Sequence, residues 1–257
     1  MSTTIHQVAL RSFTPDALNL LLETKGTRLA QADPPSLWSA EKKQEHLDYM
    51  RDTIKSSWEF VDYVFKITHV SRNFTQQLER TRTGSYAELS LRASDVREHE
   101  VLCPPSIQEQ PEWLHEWQRI EQLMMNGYAK LIDDGAAVQD ARGLLPTNIT
   151  TSIFAKFNLR SLHEMAKLRL CVRTQGEYQN VFRDMRSLVI SVHPWAAEFL
   201  EVHCVATGIC AFPRYGKAEC PVYLPDMDRS ATIIHARELF WSVRHEASPK
   251  ARDGKAM

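Results

Sequence analysis

The sequence predicts an α+β protein organised as a single domain. Val61, Tyr63, Phe65 and Ile67 alternate with Asp62, Val64, Lys66 and Thr68, the period of a strand. Trp113, Trp117, Ile120, Met124, Tyr128 and Leu131 instead recur at helical spacing. Strands and helices do not follow one another in a βαβ rhythm, which argues against a doubly wound parallel sheet. A chain of 257 residues, 43% of them hydrophobic, suffices for one sizeable core.

From the N-terminus, Thr14-Pro15-Asp16 reads as a helix start: a hydroxyl cap, proline at the first helical position, and an acid near the positive end of the dipole. Gly26 reads as its end. After the Pro34-Pro35 break, Ser39 is set to cap a second helix whose apolar positions Leu47, Met50 and Ile54 fall three and four apart. The polar stretch from Ala93 to Gln110, broken by Pro104-Pro105, reads as an irregular connection. A long helix is expected over 111–134, closed by Gly135, with its aromatic and methionine stripe counted as core. Ile149 to Phe157 fits a further strand. Leu162, Met165 and Leu168 mark a helix beginning near Leu159, and Tyr178, Val181, Phe182, Met185 and Val189 mark another, stopped at His193-Pro194. No internal repeat is visible, and the tail from Ser248 to Met257 is expected to be mobile.

Charge narrows the function. With Lys plus Arg at 31 and Asp plus Glu at 32, no basic field suggests nucleic acid or a membrane surface, so any anion has to be bound locally. No apolar run approaches the roughly 18 residues of a membrane span. Met1 to Ala9 lacks the regions of a signal peptide, and a cytoplasmic location is expected. Five cysteines, an odd number, read as reduced thiols. Cys204, Cys210 and Cys220, with His203 beside the first, are widely spaced and contain no C-x-x-C pair, so no metal site is expected.

Chemistry concentrates between Gln77 and Ser94. Arg80, Arg82, Arg92, Ser85, Ser90 and Glu88 fall within 13 residues. Such a run is ordinarily a solvated helix end. The alternative is a phosphate cradle, in which guanidinium forks grip the anion while hydroxyls and backbone amides fill the remaining acceptor positions. Neither a Walker loop nor a G-x-G-x-x-G turn is present.

The pattern R-x-R-x-x-S-x-x-E-x-S-x-R over Arg80–Arg92 resembles the signature of flavin-dependent thymidylate synthases, usually R-H-R-x-x-S-x-N-E-x-S-x-R-Y, and Gln77 matches the family's preceding glutamine. Further blocks follow in register. Ala141-Arg142-Gly143-Leu144-Leu145-Pro146-Thr147-Asn148 resembles the family's Ala-Arg-x-x-Leu-Pro-x-Asn, and Asn158-Leu159-Arg160-Ser161-Leu162 its Asn-x-Arg-Ser-Leu. Leu168-Arg169 and Gln175-Gly176-Glu177 resemble its Leu-Arg and Gln-Trp-Glu elements. The resemblance runs from about Val61 to Val189.

It implies a central, mostly antiparallel sheet flanked by helices over 1–247, and methylation of C5 of a uracil nucleotide. Uracil C5 is a weak nucleophile, and cations set against the ring carbonyls push charge onto it. By resemblance, Arg142 and Arg169 hold the uracil in that catalytic role. Gln77, Arg80, Glu88, Leu89, Ser90, Arg92 and Ala93 would surround the sugar and phosphate, with Arg80 supplied by a neighbouring subunit of a homotetramer. Arg80, Thr81, Arg82, Asn158, Arg160, Glu164 and Arg173 would border the flavin. The resemblance also implies FAD as redox cofactor, NADPH as reductant and 5,10-methylenetetrahydrofolate as one-carbon donor. The Pro-Cys-His-Gln setting of the flavin-free thymidylate synthases is missing: Cys103 precedes Pro104, and Cys220 lies in Glu-Cys-Pro.

Departures cluster where flavin, folate or sugar would sit. Thr81 stands for the usual histidine, Ala87 for asparagine and Ala93 for tyrosine. The family's His-Ala-Gln-Trp-Glu is Arg173-Thr174-Gln175-Gly176-Glu177, and its His-x-Ser-Pro-Phe-Glu-His is reduced to something like Ser57-Trp58-Glu59-Phe60. A small residue beside Arg92 leaves room for a 2′-hydroxyl, so UMP is favoured as substrate, as in nucleoside antibiotic biosynthesis. The other readings are a divergent dUMP-specific thymidylate synthase and a nucleotide-binding homologue without turnover.

Overall fold

Strand alternation decides what the sheet buries. The computed structural model describes residues 6–28, 33–53, 55–207, 209–212 and 220. Tyr63, Phe65 and Ile67 all lie on the buried face of β2 (Asp62–Ser71). β2 pairs antiparallel with β1 (Gln7–Phe13) and with β4 (Thr150–Asn158), and β3 (Ser85–Glu88) joins the outer side of β4, giving the order β1-β2-β4-β3. In β4, Ile153, Ala155 and Phe157 turn inward while Phe154 and Lys156 are exposed. His69 takes a left-handed φ of 57° where the β2–β4 register slips between Thr68 and Val70. The antiparallel, helix-flanked sheet expected from the family resemblance is therefore present.

Two amphipathic helices bury their apolar faces with this sheet. α7 (Leu159–Arg169) contributes Leu159, Leu162, Met165 and Ala166. α8 (Gly176–Val192) contributes Tyr178, Val181, Phe182, Met185 and Val189, each position the helical period indicates, and ends at His193 before Pro194. α1 (Ala17–Arg28) and α2 (Ala40–Asp52) add Leu21, Leu22, Leu47 and Met50 to the same core. Ser39 caps α2 as its position predicts, accepting from the Lys42 amide at 3.3 Å. Ile54 and the tail after residue 247 lie outside the described residues.

Several expectations need correction. Thr14 does not cap α1: its hydroxyl accepts the Asp62 amide at 2.8 Å and its own amide donates to the Asp62 carbonyl, fastening the end of β1 to β2. Asp16, at φ 48°, begins the turn instead and holds Asn19 through both carboxylate oxygens. Gly26 does not end α1, which continues to Arg28, and the Thr24 and Thr27 hydroxyls bond back to carbonyls of the preceding turn. β1, β3 and α3 (Arg72–Leu78) were not legible, being short and without clean alternation. The stretch 93–110 is irregular as expected, apart from α4 (Pro105–Gln108) and an isolated bridge between Val101 and Ile149.

The largest correction concerns α5 (Pro111–Asp133), whose closure at Gly135, φ 91°, is as expected. Its stripe is only partly core, with Trp117 and Met124 half-buried. Tyr128 is fully buried, in a small second core with Val96, Ala141 of α6 (Val138–Ala141) and Ile149. Trp113 is 59% exposed, Ile120 44% and Leu131 39%, and Leu123 beside them is 60% exposed. The helix leans on the chain by one edge only. Among the described residues, no helix is long and apolar enough to cross a membrane.

Candidate active site

The motif folds as a helix end, a tight turn and a strand. After α3, the Thr81 amide donates to the Leu78 carbonyl, and the Tyr86 hydroxyl donates to the carbonyls of both Leu78 and Thr81. Gly84 closes the turn where a Cβ would stand 2.5 Å from the Phe157 ring and the Tyr86 hydroxyl, so only glycine fits without movement. This turn presents Arg80 and Arg82 to solvent. Beyond β3, the Leu89 amide bonds the Ser152 carbonyl, and the Ser90 carbonyl accepts from the Ala93 and Ser94 amides, setting Arg92 and Ala93 on a second exposed turn.

Glu88 is held by residues outside the motif. Its carboxylate, 8% exposed, pairs with Arg72 and accepts a 2.5 Å hydrogen bond from Thr75, both on α3. Burial raises its pKa from the ordinary carboxylate value, with the Thr75 hydroxyl and the Arg72 guanidinium pulling in the opposite direction. Glu88 therefore organises Arg72 rather than Arg80, Arg82 or Arg92. Sequence reasoning missed Arg72 and Thr75 because their separation from Glu88 follows no local pattern.

Around the end of α3 three expected residues meet. The Gln77 amide donates to Gln175 at 2.6 Å, just before α8. Three residues on, Tyr178 packs edge-to-face on Phe74 of α3, and the Arg169 guanidinium lies over the Tyr178 ring, 4.4 Å from its centroid. Arg169, in the last turn of α7, also meets the negative end of that helix. Glu177 accepts from the Ser71 amide and hydroxyl at 2.7 and 2.5 Å, tying the start of α8 to the end of β2.

The expected flavin residues divide. Asn158 caps α7 by accepting the Ser161 amide at 2.8 Å, and the Ser161 hydroxyl donates to Thr83. Arg160 pairs with Glu59 at 2.5 Å, a partner from the degenerate Ser57–Phe60 segment. Glu164 pairs with Lys167 of its own helix, and Arg173 lies beside Cys171, whose thiol is pushed up by burial, with Arg173 opposing in part. Arg92 donates to Gln139 at 3.2 Å, on the stretch that ends in Arg142. Among the described residues, Arg80, Arg82 and Arg142 form no ion pair, and all three are exposed. That uncompensated charge fits an anionic group such as a dinucleotide diphosphate. Asn158, Arg160 and Glu164 are committed within the chain and fit it only by exchanging partners.

Fold and site thus define an α+β protein that exposes the guanidiniums of Arg80, Arg82, Arg92 and Arg142, groups suited to a phosphorylated ligand. A family model described as "Thymidylate synthase complementing protein" matches residues 12–195. Curated flavin-dependent thymidylate synthases are similar. That of Sulfolobus acidocaldarius is 30% identical over 208 residues, 79% of this chain and 76% of the relative. That of Sulfurisphaera tokodaii is 32% identical over 163 residues, 61% of this chain and 63% of the relative, so the chain spans somewhat under two thirds of that protein. Among solved structures, a UMP/dUMP methylase, PolB from Streptomyces cacaoi bound with 5-Br dUMP, superposes with a TM-score of 0.65 at 19% identity, covering 76% of this chain and 94% of that one, a likeness of fold. The chain belongs to the thymidylate synthase complementing protein family.

Proposed function

We propose that this protein is a flavin-dependent enzyme that methylates C5 of a uracil nucleotide, with UMP favoured over dUMP. The observation that carries the reading is the survival of Arg80, Arg82, Ser85, Glu88, Ser90 and Arg92 on one turn–strand–turn, with Gln77 and Arg169 gathered beside it, in a member of this family. Arg169 and Arg142 polarise the ring carbonyls, which raises electron density at C5. Gln77, Ser90 and Arg92 hold sugar and phosphate. Arg82 and Thr81, with Arg80, hold the flavin, and the bound flavin supplies the redox chemistry, with NADPH as reductant and 5,10-methylenetetrahydrofolate as carbon donor. The exposed Ala93, next to Arg92, supports acceptance of a 2′-hydroxyl.

The active unit is a homotetramer located in the cytoplasm. Support for assembly comes from the open stripe of Trp113, Ile120, Leu123 and Leu131, which is apolar enough to be covered by another copy. Arg80, paired with no acid among the described residues, then serves a neighbouring site. The test is to incubate protein, FAD, NADPH and methylenetetrahydrofolate with UMP and dUMP separately and weigh the products. A product one methyl heavier with UMP is expected. A yellow protein that methylates only dUMP overturns the sugar assignment, and a colourless one that binds either nucleotide unchanged overturns the activity.

A further inference from the structure

Arg169 is the last residue of α7, half-buried, and its guanidinium pairs with no acid among the described residues. A long side chain at a helix end keeps its rotamer freedom unless something holds it. Tyr178 does so: the guanidinium lies over its ring, 4.4 Å from the centroid.

That ring is itself fixed. Tyr178 is fully buried in the first turn of α8 and packs edge-to-face on Phe74 of α3, with centroids 5.1 Å apart. Its chain neighbours are tied down on both sides. Glu177 accepts from the Ser71 amide and hydroxyl, and the Gln179 amide group donates to the Leu170 carbonyl at 2.9 Å, joining the residue after Tyr178 to the residue after Arg169. The Thr174 hydroxyl donates to the Leu168 carbonyl at 2.8 Å, so the connection between the two helices is fastened as well. Ring and cation therefore keep a set separation.

The contact is made by the face of the ring. The Tyr178 hydroxyl is shut off from solvent and has no hydrogen-bond partner among the described residues. Burial raises its pKa, and the nearby Arg169 and Thr81 side chains oppose that rise. A guanidinium stacked by its face keeps its N–H groups, which lie in its plane, for acceptors at its edge. An acid in the same place would occupy those donors and offset the charge. We infer that Tyr178 is a positioning residue, whose ring aims Arg169 at the uracil carbonyls and leaves it the donors and the charge needed there. The inference rests on the assignment of Arg169 to the uracil.

The test uses full-length protein loaded with FAD. Wild type must first bind and methylate UMP or dUMP; a wild type that does neither overturns the uracil assignment and this inference with it. Tyr178→Leu should then lower kcat about tenfold, and should weaken nucleotide binding while leaving that of ribose 5-phosphate, which has sugar and phosphate but no base, within about twofold. Tyr178→Phe, which keeps the ring, should restore the rate. In an Arg169→Ala background, Tyr178→Leu should add no further loss, because it acts through the missing guanidinium. Should Tyr178→Leu fail to fold, replacing Tyr178 with ring-fluorinated phenylalanines keeps the shape while weakening the negative face, and kcat should fall stepwise with fluorine number. An unchanged rate in Tyr178→Leu, equal losses for nucleotide and ribose 5-phosphate, losses that multiply with Arg169→Ala, or a rate indifferent to fluorination would each overturn the positioning role while leaving the activity of wild type intact.

Discussion

Around β2 and β4, alternating apolar residues meet helices of the same chain, and Tyr63, Phe65, Ile67, Ile153 and Phe157 are 1% exposed or less; along α5, Trp113 and Leu123 are 59% and 60% exposed. Both regions carry clear hydrophobic periodicity, yet α5 buries only part of its face, in the small core around Tyr128. Amphipathic spacing says that a face will be covered; it does not say by which chain. The α5 region keeps its place through Tyr128, whose hydroxyl accepts the Val96 amide, and through Arg97, which pairs with Asp95 and Asp133.

The sharpest way to break this contrast is truncation in each region. Phe65→Ala should cost about 3 to 5 kcal/mol in denaturant unfolding, the range for a buried phenylalanine. Trp113→Ser should stay within about 0.5 kcal/mol for dilute subunits, while sedimentation shifts to smaller species. Comparable losses of intrinsic stability would mean that α5 is finished within the chain.

The closed region should also carry acid sensitivity. His163, 7% exposed, donates to the Phe199 carbonyl, and burial lowers its pKa from 6.5 to about 4. Because the folded state binds fewer protons than the unfolded, this contribution is complete above pH 6.5 and is lost as pH falls towards about 4. The loss should amount to about 3 kcal/mol, seen as a falling melting temperature across that window. In His163→Leu the slope should flatten; an unchanged slope assigns the sensitivity elsewhere.

Catalysis should draw on both regions, since Arg169 belongs to α7 and Arg142 follows α6. Arg169→Ala and Arg142→Ala should each slow methylation by about a hundredfold or more, with flavin content changing less. A wild-type rate in Arg142→Ala alone would confine the site to the closed region.

The smallest effect concerns the sugar. Ala93→Tyr should lower kcat/KM for UMP relative to dUMP by about tenfold, because a 2′-hydroxyl forced into a filled pocket is expelled or left unpaired. The ratio is the quantity to measure, since a bulky ring can slow both substrates. An unchanged ratio would shift sugar choice to Thr81 or Ala87.

What could be read from residue order was whatever depends on neighbours in the chain. Period two in β2, the Ser39 cap and the apolar face of α8 are local patterns, and each is found where spacing put it; on α7 Leu162 and Met165 are buried as expected, but Leu168 is 46% exposed. The family match over residues 12–195 extends beyond both ends of the stretch in which resemblance could be seen by eye. Tertiary structure decided matters that depend on distant partners. Thr14 left its capping role because the Asp62 amide competes for its hydroxyl, Glu88 took Arg72 as its ion-pair partner, and Arg169 gained a tyrosine ring beneath it.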